Sequence, residues 1–79
     1  MSIEQHFDRE LDVRGLACPL PVINTRKAIN DLASGQTIRV LTSDPGAASD
    51  FRALIHAVGL ELLAQETRND ELHFLIRKP

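Results

Sequence analysis

Cys18 is the only cysteine in the chain, and it opens the tetrapeptide Cys18-Pro19-Leu20-Pro21. A thiol beside two prolines makes sense at one place in a fold, the start of a helix. The first four N–H groups of a helix have no partner inside it, so prolines there forfeit no hydrogen bond. The spacing predicts a helix with Cys18 as N-cap and with Pro19 and Pro21 at its first and third positions. Pro19 also steers Cys18 out of the α region, as an N-cap requires. The N–H groups of Leu20 and Val22 are then free to face the sulfur. Those donors and the helix dipole favour the thiolate, so the Cys18 pKa is expected to fall below that of a free thiol. A moderate fall keeps the sulfur a good nucleophile. A lone cysteine is often just a small buried hydrophobe. Its place at a helix start, however, argues for an accessible thiol.

The elements that must position it can be read from periodicity. Phe7 to Val13 alternates, with Phe7, Leu11 and Val13 on one side, and reads as a half-buried strand interrupted only by Arg9. Arg14-Gly15 makes the turn into the first helix, Pro19 to about Ala33, with Val22, Ile29, Leu32 and Ala33 on its apolar stripe and Gly35 after its end. Gln36 to Thr42 reads as a second, more buried strand. Asp44-Pro45 is expected to start a second helix, Asp44 as N-cap and Pro45 at the first position, and Gly59 to stop it. Leu60 to Thr67 and Leu72 to Arg77 read as two strands joined by the turn Arg68 to Glu71.

The order is β-α-β-α-β-β. Right-handed crossovers put both helices on one face of a four-stranded sheet, giving an α+β two-layer sandwich. The 79 residues suit one domain, residues 1–79, with residues 1–6 a short polar tail. If the first two strands are parallel, Cys18 and Asp44 both lie at the carboxyl edge of the sheet, where sites in open sheets gather. Asp44-Pro45 is then expected to border the Cys18 site, with the Asp44 charge partly opposing thiolate formation.

Composition narrows the function. A net charge of -2, with Lys and Arg dispersed along the chain, argues against strong direct nucleic-acid binding. The three aromatics are all Phe at expected core positions, which offers no base-stacking platform. No apolar run approaches the length of a membrane span, and the N-terminus has no apolar signal segment. One cysteine makes no internal disulfide, which fits a reducing cytoplasm. A chain this short has no room for a large internal cavity, so the site is expected to be a surface group or a shallow groove. His6, His56 and His73 lack ligand spacing and are expected at the surface, so no metal site is anticipated. Arg14, Arg26 and Lys27 flank the thiol as candidates for docking partners. Leu16, Ala17 and Leu20 form a candidate apolar collar around it.

Leu11-Asp12 and Arg14-Gly15 ahead of Cys18-Pro19-Leu20-Pro21 resemble the signature of the TusA/SirA-like sulfur-carrier family. The likeness runs on through Lys27-Ala28, Leu32, Gly35, Asp44-Pro45, Gly59, Glu66 and Ile76, nearly the whole chain. It departs from the family pattern at Leu20, Ser43 and Leu60. The resemblance implies sheet order 1-2-4-3 with the fourth strand antiparallel. It also implies that Cys18 takes up a sulfane sulfur as a persulfide and passes it on, with no cofactor. The donor would be a cysteine desulfurase or rhodanese-type enzyme, and the acceptor a relay protein for tRNA thiolation, molybdenum cofactor maturation or sulfur oxidation. Two other readings stand beside it: a redox-sensing or regulatory module that oxidises Cys18, and a nucleic-acid-binding module.

Overall fold

Two parallel strands joined by a helical crossover begin the fold, and a hairpin completes its sheet. The computed structural model describes residues 6–79, so most of the expected tail lies outside the described residues; His6 is exposed. In chain order the elements are β1 (Arg9–Asp12), α1 (Leu20–Asn30), β2 (Thr37–Thr42), α2 (Ala47–Val58), β3 (Glu61–Arg68) and β4 (Glu71–Arg77). The sheet order is β1-β2-β4-β3. β1 and β2 are parallel, and β4 runs antiparallel to both its neighbours. This is the predicted α+β two-layer sandwich.

The strand register explains the core. Leu11 lies opposite Val40, and Val40 opposite Phe74, so the apolar members of three strands share one face. Ile38 and Ile76 repeat the pairing one step along. The helices cover this face with Ala28 and Ile29 from α1 and with Ala47, Phe51 and Leu54 from α2. Phe51 stacks on Phe74 with ring centroids 4.6 Å apart, joining α2 to the middle of the sheet.

Both helices start later than the prolines suggest. α1 begins at Leu20 with Pro19 as N-cap, and α2 begins at Ala47 with Gly46 as N-cap. Pro19 and Pro45 instead stand in the turns that precede the helices, where the Leu20 N–H donates to the Ala17 carbonyl and the Ala47 N–H to that of Asp44, while Pro21 lies in the first turn of α1. α1 also ends at Asn30 rather than near Ala33, which is exposed. This end is met from the chain's other terminus: Lys78 Nζ donates to the carbonyl of Ile29 in the last turn and to that of Leu32 just beyond it, at 3.2 and 2.9 Å. The β3–β4 hairpin turns on Asn69 and Asp70, both with positive φ (50° and 64°), the backbone that a two-residue turn matched to strand twist demands.

His73 is not at the surface, as its alternation suggested. It and Leu75 are buried on the sheet face away from the helices, at 7% and 0% exposure. Register sets Arg39 opposite Leu75 and Glu66 opposite His73. Arg39 reaches Glu10 and lies over the Phe7 ring, while Arg68 pairs with Glu66. These long side chains lie along the sheet and shield its centre from water. Phe7 is thus half-buried beneath Arg39, whereas Phe51 and Phe74 are core residues.

Candidate functional site

Parallel pairing of β1 and β2 brings the β1–α1 and β2–α2 loops to one edge of the sheet, as expected. Gly15 takes φ of 82°, a conformation natural to glycine, and its N–H donates to the Ser43 hydroxyl at 2.8 Å. This bond ties the two loops together. Arg14 is held on the other side of the turn: its guanidinium makes two bonds to Asp12, at 2.9 and 2.7 Å, and reaches Glu71 at 3.4 Å. Arg14 thereby fixes the turn, and its hydrogen bonds hold the Asp12 carboxyl down to about 2.

Cys18 is exposed, just ahead of α1. Of the two N–H donors expected at the sulfur, that of Leu20 is taken by the Ala17 carbonyl. The thiol instead donates to the Asp50 carboxylate, with Sγ 2.6 Å from Oδ2. Asp50 lies in the first turn of α2, 32 residues along the chain. The electrostatic expectation is therefore reversed: the Cys18 pKa is raised. The hydrogen bond to Asp50 is the main cause, followed by loss of water and then by the charges of Asp50 and Asp44. A carboxylate that accepts from the neutral thiol stabilises that form, and its charge disfavours a second anion beside it. The anticipated influence of Asp44 has the expected sign but ranks behind Asp50. Asp44 Oδ2 is buried with no hydrogen-bond partner.

An open groove of about 340 Å³ runs from Cys18 between the two helices. Pro19, Val22 and Arg26 line its α1 side, and Asp50, Ala53, Leu54 and Ala57 its α2 side. Arg26 is thus beside the site. Lys27 is exposed but does not line the groove. Pro21 is buried in the first turn of α1, where its carbonyl accepts from the buried Thr25 hydroxyl at 2.7 Å. Leu20 and Ile23 stand out at 47% and 42% exposure, and exposed Ala17 adds to this apolar surface near the thiol. Leu16 instead packs against the core. Pro45 is exposed in the turn before α2.

Asp50 is the site residue that sequence reasoning missed. A carboxylate in the first turn of a helix has an ordinary role facing the dipole, so its type and position raise no alarm. The signal was available only in combination: two parallel strands, two helices starting at one edge, and an acid one turn into the second. Among the described residues no group of three or more His, Cys, Asp or Glu side chains is arranged to hold a metal ion. No helix among them is long and apolar enough to cross a membrane.

Comparison with known proteins agrees with this architecture. The chain is 43% identical over 72 residues to the sulfur carrier protein TusA of Allochromatium vinosum, covering 91% of this chain and 95% of that one. It is 45% identical over 71 residues to the putative sulfur carrier protein YrkI of Bacillus subtilis, covering 90% and 95%. A solved SirA-like protein from Desulfitobacterium hafniense shares the fold with a TM-score of 0.78 at 22% identity, over 87% of this chain and 95% of that chain. The family model described as sulfurtransferase TusA matches residues 9–78, so the chain belongs to that family.

Proposed function

We propose that the protein is a sulfur carrier that receives a sulfane sulfur on Cys18 and delivers it to an acceptor protein. The observation that carries this is an exposed thiol at the mouth of an open groove, on a chain whose relatives are named sulfur carriers. A carrier has to place its sulfur inside another protein's active site. A protruding thiol suits that task better than a deep pocket.

In the transfer, the Cys18 sulfur attacks the terminal sulfur of a donor persulfide. A sulfur–sulfur bond forms on Cys18 as the donor's own bond breaks. The donor cysteine leaves with the electron pair and takes up the proton that Cys18 gives up. Delivery repeats the exchange with the acceptor thiol, and neither step is a net oxidation. The donor is a cysteine desulfurase or rhodanese-type protein, and the setting is the cytoplasm. Leu20 and Ile23 offer these partners an apolar contact, with Arg26 beside them. The redox-sensor alternative is weakened by the same geometry, because sensor thiols are easily ionised and the Asp50 contact disfavours the Cys18 thiolate.

Intact-mass spectrometry after incubation with a cysteine desulfurase and cysteine tests the proposal. The expected result is a gain of one sulfur on the wild type, removed by reductant and absent from Cys18→Ser. No gain from either desulfurase or rhodanese-type donors would refute it.

A further inference from the structure

Asp50 has no necessary part in an exposed carrier thiol, yet its carboxylate takes the Cys18 hydrogen at 2.6 Å. The charged groups around the sulfur come from three places. Asp50 lies on α2, Asp44 on the loop that precedes it, and Arg26 on the α1 wall of the same groove. Arg26 makes no ion pair among the described residues.

The empty and loaded carriers differ in one respect that this arrangement distinguishes. The empty carrier presents a neutral S–H, which donates to Asp50. A persulfide is more acidic than its parent thiol and is an anion at neutral pH. It has no hydrogen to give Asp50 and faces that carboxylate's charge instead, with the weaker influence of Asp44 added through space. The same contact that stabilises the empty state therefore opposes the loaded one. Among the described residues the only cation lining the groove is Arg26, across from Asp50.

We propose that Asp50 is a positioning residue that sets the direction of sulfur flow: it clasps the empty thiol, repels the loaded persulfide toward Arg26, and so favours delivery over storage. This rests on the reading of Cys18 as the persulfide site. The exchange it governs is Cys18-SH + R-S-S⁻ ⇌ Cys18-S-S⁻ + R-SH, in which the proton of Cys18 ends on the departing thiol. Atoms, charge and oxidation level balance without a co-reactant. Asp50 moves the equilibrium because it interacts oppositely with the two protein species.

The test is an equilibrium titration with glutathione persulfide and glutathione at fixed ratio and neutral pH, read as the loaded fraction by intact mass. Asp50→Asn removes the charge and keeps the shape. Its loading constant should rise roughly three- to tenfold, a hydrogen bond to a charged group being discounted for exposure. Its thiol alkylation profile should move to lower pH, a change that a merely structural role does not produce. Asp50→Glu keeps the charge and should stay near wild type. If Asp50→Asn loses the fold by circular dichroism, Asp50→Ala is expected to shift both readouts in the same direction. An unchanged or lower loading constant, with wild type loading and Cys18→Ser not, overturns the role of Asp50 and leaves the carrier reading standing. A wild type that takes no sulfur overturns both.

Discussion

The Gly15 N–H and the Ser43 hydroxyl, 28 residues apart in sequence, are joined by a 2.8 Å hydrogen bond between the two loops at the site edge. The bond sets the loop that bears Cys18 against the loop that leads to α2, and so helps bring the thiol to Asp50. Ser43→Ala removes the acceptor and should lower stability by about 0.5–1.5 kcal/mol. Ser43→Asp retains an acceptor and should recover most of the loss. Urea denaturation of the three proteins measures it, and equal midpoints would deny the bond any role.

The Phe51–Phe74 stack is where α2 meets the sheet, and both rings are fully buried. Replacing either by Ala leaves a cavity in the centre of a small core and should cost about 3–5 kcal/mol, much of the total stability of a domain this size. Phe51→Leu should cost far less. Thermal unfolding of the two Phe51 variants should separate them clearly.

Acid should weaken the fold through the first turn. Asp12 is lowered from 3.8 to about 2, first by its hydrogen bonds with Arg14. Asp8 and Glu66 are lowered as well, chiefly by hydrogen bonds with Thr37 and Arg68 respectively. A carboxyl with a depressed folded pKa adds stability above its unfolded pKa and loses it as pH falls through the folded value. For Asp12 the loss is therefore expected between about pH 4 and pH 2. Denaturant midpoints across that window should fall less steeply in Asp12→Asn, and salt should diminish the difference.

Cys18 should react more slowly than an unstructured thiol. Its pKa is raised by Asp50, so at neutral pH less thiolate is present than in a free peptide. Iodoacetamide should alkylate the folded protein more slowly than a Cys18-containing peptide, and unfolding in urea should abolish the gap. A faster reaction in the folded state would point to the helix dipole as the stronger influence.

Neither ring nitrogen of buried His73 makes a hydrogen bond, although Nε2 lies 3.5 Å from Glu71 Oε1. A buried polar group without a hydrogen bond is costly, and an apolar replacement of similar size is expected to stabilise. His73→Leu should add about 1 kcal/mol, a rise in Tm of roughly 4–8 °C. A lower Tm would mean that the Glu71 contact outweighs the cost of burial.

Much of this fold was legible along the chain because its signals are local. Alternation in β1 and β4, the stripe of Ala47, Phe51 and Leu54, and the punctuation at Gly35 and Gly59 act within a few residues. These dictated the element order, and the handedness of crossovers put both helices on one face. The prolines do mark the helix starts, but each stands one or two positions earlier relative to its helix than the spacing predicts. Pro19 and Pro45 shape the turns before the helices, and that choice depends on carbonyls such as those of Ala17 and Asp44 finding donors.

The sequence by itself determined that a single thiol stands ahead of the first helix, at the edge where two helices start. Only the tertiary structure decided its chemical state. Helix position alone predicts a lowered pKa, whereas Asp50 arrives from 32 residues away and reverses the sign through a direct contact. Likewise, period two places His73 away from the helices, but cross-strand neighbours decide whether that face is wet. Charge and solvation act through space, so their net effect at a residue depends on neighbours that local sequence does not reveal.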